Sequence, residues 1–288
     1  MHGGPHFREP VVIDDAVRRA IEKLEPLAPL HNAPALRAIE EAQRVLPDVP
    51  HVAVFDTAFH ATIPPEAATY AVPQEWRDWG VRRYGFHGLS VQWCAERVRA
   101  PRLVVCHLGG GSSVSAVLDG RSVDTTMGFS PLEGVPMTTR SGSIDPGALL
   151  YLLRERGLDA DTLERELNFE SGMKALGGGS GDIREVGDLA LDVFAYRVAT
   201  SVAAMAAALN GIDALAFTAG IGENSALVRA HVCERLAFLG VDLDEEANEA
   251  AEPDCTISCG RVAVHVVRAR EELVAARAAR DLLGRAVS

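Results

Sequence analysis

The spacing of apolar residues changes period several times along the chain, and each change marks an element. Asp14 is a good helix N-cap, and Val17, Ile21 and Leu24 recur on one face after it, which predicts a helix from about residue 14. A second helix is expected from about Pro34, with the proline near its first turn and Leu36, Ile39 and Leu46 turned inward. The run Val52-Ala53-Val54-Phe55 reads as a short buried strand ending on Asp56. Residues 61–80 are proline-rich and read as irregular. Strands follow at 103–106 and 114–118, and Asp119-Gly120 signals a tight turn in a β-meander. Helices are predicted at about 146–156 and 160–167, then a long Ala-rich helix over about 186–209 that is apolar on most sides. Ala214–Thr218 reads as a strand leading into a glycine turn and a helix. A last strand is expected at 261–267, and a helix from about Glu271 ends the chain.

Composition narrows the class. The 288 residues allow two domains or one large one, and an apolar share of 48 % is enough for a sizeable core. Aromatics make up only 6 %, so the filling is mostly Ala, Val and Leu. A net charge of −12 argues against nucleic acid or an anionic membrane as a bulk partner, though a nucleotide is still within reach of local groups. Lys23 and Lys174 are the lysines, and the other basic residues are arginines. A phosphate clamp must therefore rest on Arg, His and backbone N–H groups. Five scattered cysteines suggest reduced thiols, and Cys255 and Cys259 lack a second ligand pair at zinc spacing. No apolar run is read as a membrane span, and residues 1–20 are charged, unlike a signal peptide, so a cytoplasmic protein is expected. No repeat or low-complexity tract is apparent.

Four constellations are candidates for chemistry. The first is the hairpin His107-Leu108-Gly109-Gly110-Gly111-Ser112-Ser113. Its glycines would let backbone N–H groups approach an oxyanion, yet an ordinary glycine-rich hairpin would look the same. It is no Walker loop, because Gly-Lys-Ser/Thr is missing and a strand follows. The second is the turn at 217–225, where Gly220 and Gly222 open a helix whose first turn holds Glu223, Asn224 and Ser225. That suits a phosphate or a nucleotide sugar, and equally a plain capped connection. The third is a pair of loops: Tyr84-Gly85-Phe86-His87-Gly88, and Met127 through Gly134 with Arg140 close behind. Singly, His87 is also a loop histidine bonded to backbone and Arg140 a surface ion pair. The fourth is the set of acids: Asp56 at a strand end, Asp182 (with Arg184) after the loop 177–181, and Glu271. Acids beside a phosphate cradle suit Mg²⁺, although Glu271-Glu272 is also what a helix N-terminus favours.

Together the segments resemble the acetokinase family of the actin, sugar kinase and Hsp70 superfamily. The resemblance is carried by Ala28-Pro29-Leu30-His31-Asn32, Val54 through His60, Tyr84 through Gly88, Cys106 through Ser113, Met127 through Arg140, and Phe217 through Ser225, in order and over nearly the whole chain. It implies an α/β fold, ribonuclease-H-like with two actin-like ATPase domains, the first incomplete. Residues 1–57 would be the remnant of the first domain and 58–268 the nucleotide-side domain, with 269–288 a helix returning to the first. It implies reversible transfer of the ATP γ-phosphoryl to acetate or another short carboxylate, with Mg²⁺, in a homodimer. By the resemblance Asp56 orients the substrate and metal, while His87 and Arg140 stabilise the transferring phosphoryl. Leu30 and His31 are substrate-side residues, and Pro131 belongs to the acyl pocket. His107, Leu108, Gly109, Gly110 and Gly111 are the phosphate hairpin. Asp182, Ile183 and Arg184, with Gly220, Ile221, Gly222, Glu223 and Asn224, are the adenosine and ribose contacts. Glu271 is the metal-side glutamate.

There are departures. Gly110 stands where the family has Asn, and Ala269-Arg270 where it has Thr-Asn. The family's opening Asn-Ala-Gly-Ser-Ser segment and the arginine before Met1-His2-Gly3-Gly4 have no counterpart, so a shortened chain with impaired turnover is expected, a valine codon having served as the start. Competing readings are a propionate or butyrate kinase and an inactive folded fragment. A metallohydrolase built on Asp56 and His60 has no further ligand cluster behind it.

Overall fold

The computed structural model describes residues 1–25 and 29–286. Its centre is a six-stranded mixed sheet in the order β5-β4-β3-β6-β8-β7. The strands are β3 (Arg102–Leu108), β4 (Ser112–Leu118), β5 (Arg121–Thr125), β6 (Ala214–Thr218), β7 (Cys255–Thr256) and β8 (Ala263–Val266). β3, β6 and β8 run parallel, and β4, β5 and β7 antiparallel to their neighbours. Parallel strands buried on both faces read as continuous apolar runs, which is how β3 and β6 read.

The two faces follow from the period of two. Val104, Cys106 and Leu108 point to one side, where they pack with Phe194, Val198 and Val202 of the long helix Asp188–Ala208. Leu103 and Val105 point to the other, against Val91 and Cys94 of the helix Gly88–Val98. The Asp119-Gly120 turn joins β4 to β5 with positive φ at both residues, as a hairpin twist requires.

Described residues between Met1 and Ala58 make a separate small apolar cluster. β1 (Val11–Val12) pairs antiparallel with β2 (Val52–Ala53), and Ile21, Leu36, Ile39 and Phe55 fill the space between them and two helices. Asp14 caps the helix Asp15–Glu22 by accepting from the Val17 N–H at 2.7 Å, as its position predicts. The C-terminal helix Glu271–Ala286 lies against Gly88–Val98, where Arg277 stacks over Trp93 and pairs with Glu96 at 2.6 Å.

Several expectations change. The second helix is Pro29–Val45, so Pro34 sits inside it rather than near its start. The strand expected at Val52–Phe55 is only two residues long, and Phe55 turns inward to stack on Phe7. Within 61–80 there are short helices, Pro65–Ala68 and Gln74–Asp78, each preceded by a proline that presets φ. The helix Gly88–Val98 was not expected, although Val91, Cys94, Ala95 and Val98 recur at helical spacing on the face that packs against the sheet. The helix Asp188–Ala208 is long and apolar enough to cross a membrane, contrary to the expectation that no run is; its buried residues instead pack on the sheet.

Candidate active site

The three parallel strands end on the same edge, and each carries one part of the site beyond its carboxyl end, the usual place for ligands in open α/β sheets. β3 leads into the glycine hairpin, β6 into the turn at Ala219, and β8 into the segment that reaches Glu271.

Asp56 lies across the start of the helix Gly88–Val98. Its carboxylate accepts from the backbone N–H of His87 at 2.7 Å and of Leu89 at 3.4 Å, and its carbonyl accepts from Gly88 at 2.9 Å. A side chain at Gly88 would overlap that carbonyl, so the close approach requires glycine. An acid at a helix N-terminus is favoured by the free N–H groups there. His87 precedes the helix with φ 59°, and its Nδ1 lies 3.0 Å from the Ser113 hydroxyl. Its ring stacks on His107 with centroids 3.9 Å apart. His107 is itself tied to the Ser90 hydroxyl at 2.8 Å. Burial, and then the neighbouring His87, hold His107 well below the ordinary histidine range, with Asp56 opposing. His107 is therefore a neutral ring.

Arg140 approaches the same point from another loop. Its Nη1 donates to the Pro131 carbonyl at 3.3 Å, and burial lowers its pKa from the usual arginine value. The meeting place is Gly111. A methyl group there would lie 3.1 Å from His87 Nε2 and 3.4 Å from Arg140 Nη1. The structure thus brings Asp56, His87, Arg140 and the hairpin together from four separate stretches of chain.

Beyond the hairpin a cleft of about 580 Å³ opens. Gly109, Gly110, Asp182, Ile183, Arg184, Gly220, Ile221 and Asn224 all line it. Around Gly110 a side chain would meet nothing within 4 Å. Asp182 and Arg184 pair with each other at the surface, and the Arg184 hydrogen bond holds Asp182 down to about 2. Asn224 donates to the Gly220 carbonyl at 2.8 Å and closes its own turn.

Other expected positions lie elsewhere. Leu108 has its side chain in the core, so only its backbone belongs to the hairpin. Gly222 is buried against Phe217 and the Cys106 carbonyl. Glu223 turns away from the cleft: one carboxylate oxygen accepts from the N–H of Ala219 at 3.0 Å and of Ala269 at 2.8 Å. It staples the turn at Ala219 to the segment before Glu271. The side chains of Leu30 and His31 lie outside the described residues. Ser113 and Ser90 were missed as partners of the histidines. Three serines, Ser112, Ser113 and Ser115, within one buried strand were the available signal for Ser113.

Glu271 Oε1 stands 4.0 Å from His107 Nδ1. Burial, and then repulsion from Asp56 and Glu272, push its carboxyl up to about 7. Two carboxylates that repel each other at the mouth of a phosphate hairpin form a donor set suited to a hard divalent cation. Among the described residues no group of three or more His, Cys, Asp or Glu forms an all-protein cage. Mg²⁺ fits such a place, since it is commonly held by one or two carboxylates plus substrate phosphates.

The sequence model of the acetokinase family matches residues 1–277. The chain belongs to the acetokinase family. It is 47 % identical over 300 residues to the acetate kinase of Protochlamydia amoebophila (strain UWE25), covering 98 % of this chain and 76 % of that protein. The acetate kinase of Microcystis aeruginosa is 46 % identical, with 96 % of this chain and 74 % of that protein covered. Among solved structures, a propionate kinase from Francisella tularensis superposes with a TM-score of 0.91 at 38 % identity, covering 96 % of this chain and 76 % of that one. Porphyromonas gingivalis acetate kinase gives 0.90 at 36 % identity, with 98 % and 76 % covered. The fold is thus that of the acetokinases, and the protein is an ATP-dependent carboxylate kinase of a family that uses ATP with Mg²⁺.

Proposed function

We propose that this chain transfers the γ-phosphoryl group of ATP to acetate, reversibly, giving ADP and acetyl phosphate. The observation that carries this reading is the convergence of His87 Nε2 and Arg140 Nη1 on one face of Gly111, at the mouth of the cleft. Phosphoryl transfer needs little covalent help; it needs in-line positioning and cationic or N–H groups around the spreading negative charge. The Gly109 N–H closes the hairpin on the Gly111 carbonyl at 3.0 Å, which leaves the backbone N–H groups of Gly110 and Gly111 to hold the phosphates, while Arg140 and His87 donate to the equatorial oxygens in transit. Asp56 orients the attacking carboxylate. Ile183 and Ile221 offer apolar surface to the base, and Asp182 and Arg184 polar atoms to the sugar. Mg²⁺, held by Glu271 and Asp56, would neutralise charge on the phosphates.

Pro131, next to Arg140, belongs in this reading to the pocket for the acyl methyl group. The similarity to a propionate kinase favours propionate as the second acceptor. Residues 1–57 are in this reading the remnant of the first domain and meet the nucleotide-side domain, 58–268, where Asp56 accepts from the start of the helix Gly88–Val98, against which the C-terminal helix also lies; the protein works in the cytoplasm. Exposed Leu150 and Tyr151, and Leu189 and Tyr196 on the long helix, supply apolar surface for a homodimer.

Purified protein with ATP, Mg²⁺ and acetate should release ADP in an acetate-dependent way and trap hydroxamate from acetyl phosphate. Substituting His87 or Arg140 by Ala should remove both signals. Absence of carboxylate-dependent ADP release with acetate and with propionate would sink the proposal.

A further inference from the structure

Behind the site lies a polar network that none of the roles above employs. Arg83, whose side chain is only 17 % exposed, donates from Nη1 to three successive carbonyls, Thr125 at 2.7 Å, Thr126 at 3.0 Å and Met127 at 3.1 Å. Its Nη2 donates to Glu133 Oε1 at 3.0 Å, and its Nε lies 3.9 Å from Asp124. The other oxygen of Glu133 accepts from the Tyr70 hydroxyl, and that hydroxyl in turn accepts from the Phe129 N–H at 3.0 Å. A side chain at Gly128 would overlap both the Glu133 carboxylate and the Tyr70 hydroxyl, so the loop is wrapped tightly around this network. The segment 84–85 is zipped to the same loop, with Tyr84 and Gly85 donating to the Gly128 carbonyl at 3.0 and 3.3 Å.

The two ends of this network lead to the two phosphoryl-side donors of the proposed reaction. Arg83 precedes His87 by four residues in a segment held at both ends. Glu133 follows Pro131 by two, and the Pro131 carbonyl orients Arg140. We propose that Tyr70, Arg83 and Glu133 form a positioning clamp that sets the separation of His87 and Arg140 across Gly111. Burial and the Glu133 carboxylate raise the Tyr70 pKa, so its hydroxyl remains a donor at all working pH values. A half-buried ion pair whose arginine also donates to three backbone carbonyls adds little net stability but fixes geometry through the number of its bonds.

The clamp rests on the phosphotransfer reading, and its test separates the two. Glu133→Gln keeps the shape and removes the charge that binds Arg83; Tyr70→Phe removes one hydrogen bond. In Glu133→Gln, kcat should fall at least tenfold while KM for ATP stays within twofold, because apart from Thr138 the residues lining the cleft come from other segments. In Tyr70→Phe the fall should be about threefold. Amide exchange should quicken across residues 126–134 and stay unchanged in β3 and β6. Phenylglyoxal should modify Arg140 faster, read by peptide mass. A kcat within twofold in both variants overturns the clamp, as does quickened exchange throughout the sheet with KM and kcat degraded together. If the unsubstituted protein forms no acyl phosphate, the phosphotransfer reading falls, and the clamp stands or falls on whether Arg140 modification speeds up.

Discussion

Around Gly111, His87 and Asp56 are each held by a hydrogen bond from another stretch of chain, and Arg140 donates to Pro131 within its own loop. Around Gly110, one residue away, the space is open, and the nearest charged groups pair with each other at the surface. The surroundings of Gly111 are preorganised; those of Gly110 form an open groove. The difference suits the proposed phosphoryl transfer at the first and nucleotide binding at the second. Charge in transit is stabilised best by groups that need no reorganisation, whereas a nucleotide held by many weak contacts tolerates looser walls.

The sharpest way to break this comparison is to remove one preorganised group. Arg140→Ala should lower kcat by about 100- to 1000-fold, or about 2.7–4 kcal/mol, as loss of a single preorganised donor does elsewhere; a steady-state assay with acetyl phosphate and ADP measures it. A loss under fivefold would mean that the guanidinium is not aimed at the reacting group.

Next in size is a contrast within the hairpin itself. Gly111→Ala places a methyl 3.1 Å from His87 Nε2 and should cost about tenfold in kcat, or about 1.4 kcal/mol, whereas Gly110→Ala should be neutral. Equal effects at the two positions would erase the distinction between the two sides. Gly110→Asn, which restores the family's residue into open space, should tighten ATP binding in calorimetry.

His60 tests the supporting layer by pH. It is fully buried between the Ser122 hydroxyl at 2.8 Å and the Phe86 carbonyl at 2.9 Å, and burial lowers its pKa. The unfolded histidine, with a pKa near 6.5, binds a proton that the folded one refuses. The stability it contributes is therefore full above about pH 6.5 and is lost as pH falls toward its folded value, by at most about 1.4 kcal/mol per pH unit. His60→Asn should be less stable at pH 7 yet lose less on acidification, read from urea midpoints between pH 5 and 7. Parallel curves would count against a neutral, buried His60.

The smallest effect is expected at the open wall. Arg184→Ala breaks an exposed pair with Asp182, and such pairs contribute about 0–1 kcal/mol, so KM for ATP should change by less than about fivefold. A larger change would make that wall part of the organised site.

The legibility of the chain tracks locality. β3, β4, β6 and the helices at 146 and 160 announce themselves through period and caps that lie within each segment. The glycine hairpin and the residues of the cleft were named from their motifs, and eight of them line one groove. Glu223 differs from its motif neighbours Gly220, Ile221 and Asn224, which line the cleft, because its own carboxylate is captured by an N–H 46 residues away. The clamp at Tyr70, Arg83 and Glu133 could not be seen at all: its members are dispersed over 63 positions and each looks like an ordinary surface residue in isolation.

Period, caps and glycine spacing are properties of neighbouring residues, so the family, much of the strand and helix framework and the candidate segments for phosphate are legible in the chain alone. Which of the candidate groups meet is a matter of the tertiary fold. The shared carboxyl edge of β3, β6 and β8 sets Glu271 beside His107, and the fold of two distant loops aims His87 and Arg140 at Gly111. That convergence depends on strand order and loop closure across the whole chain, which no local pattern encodes.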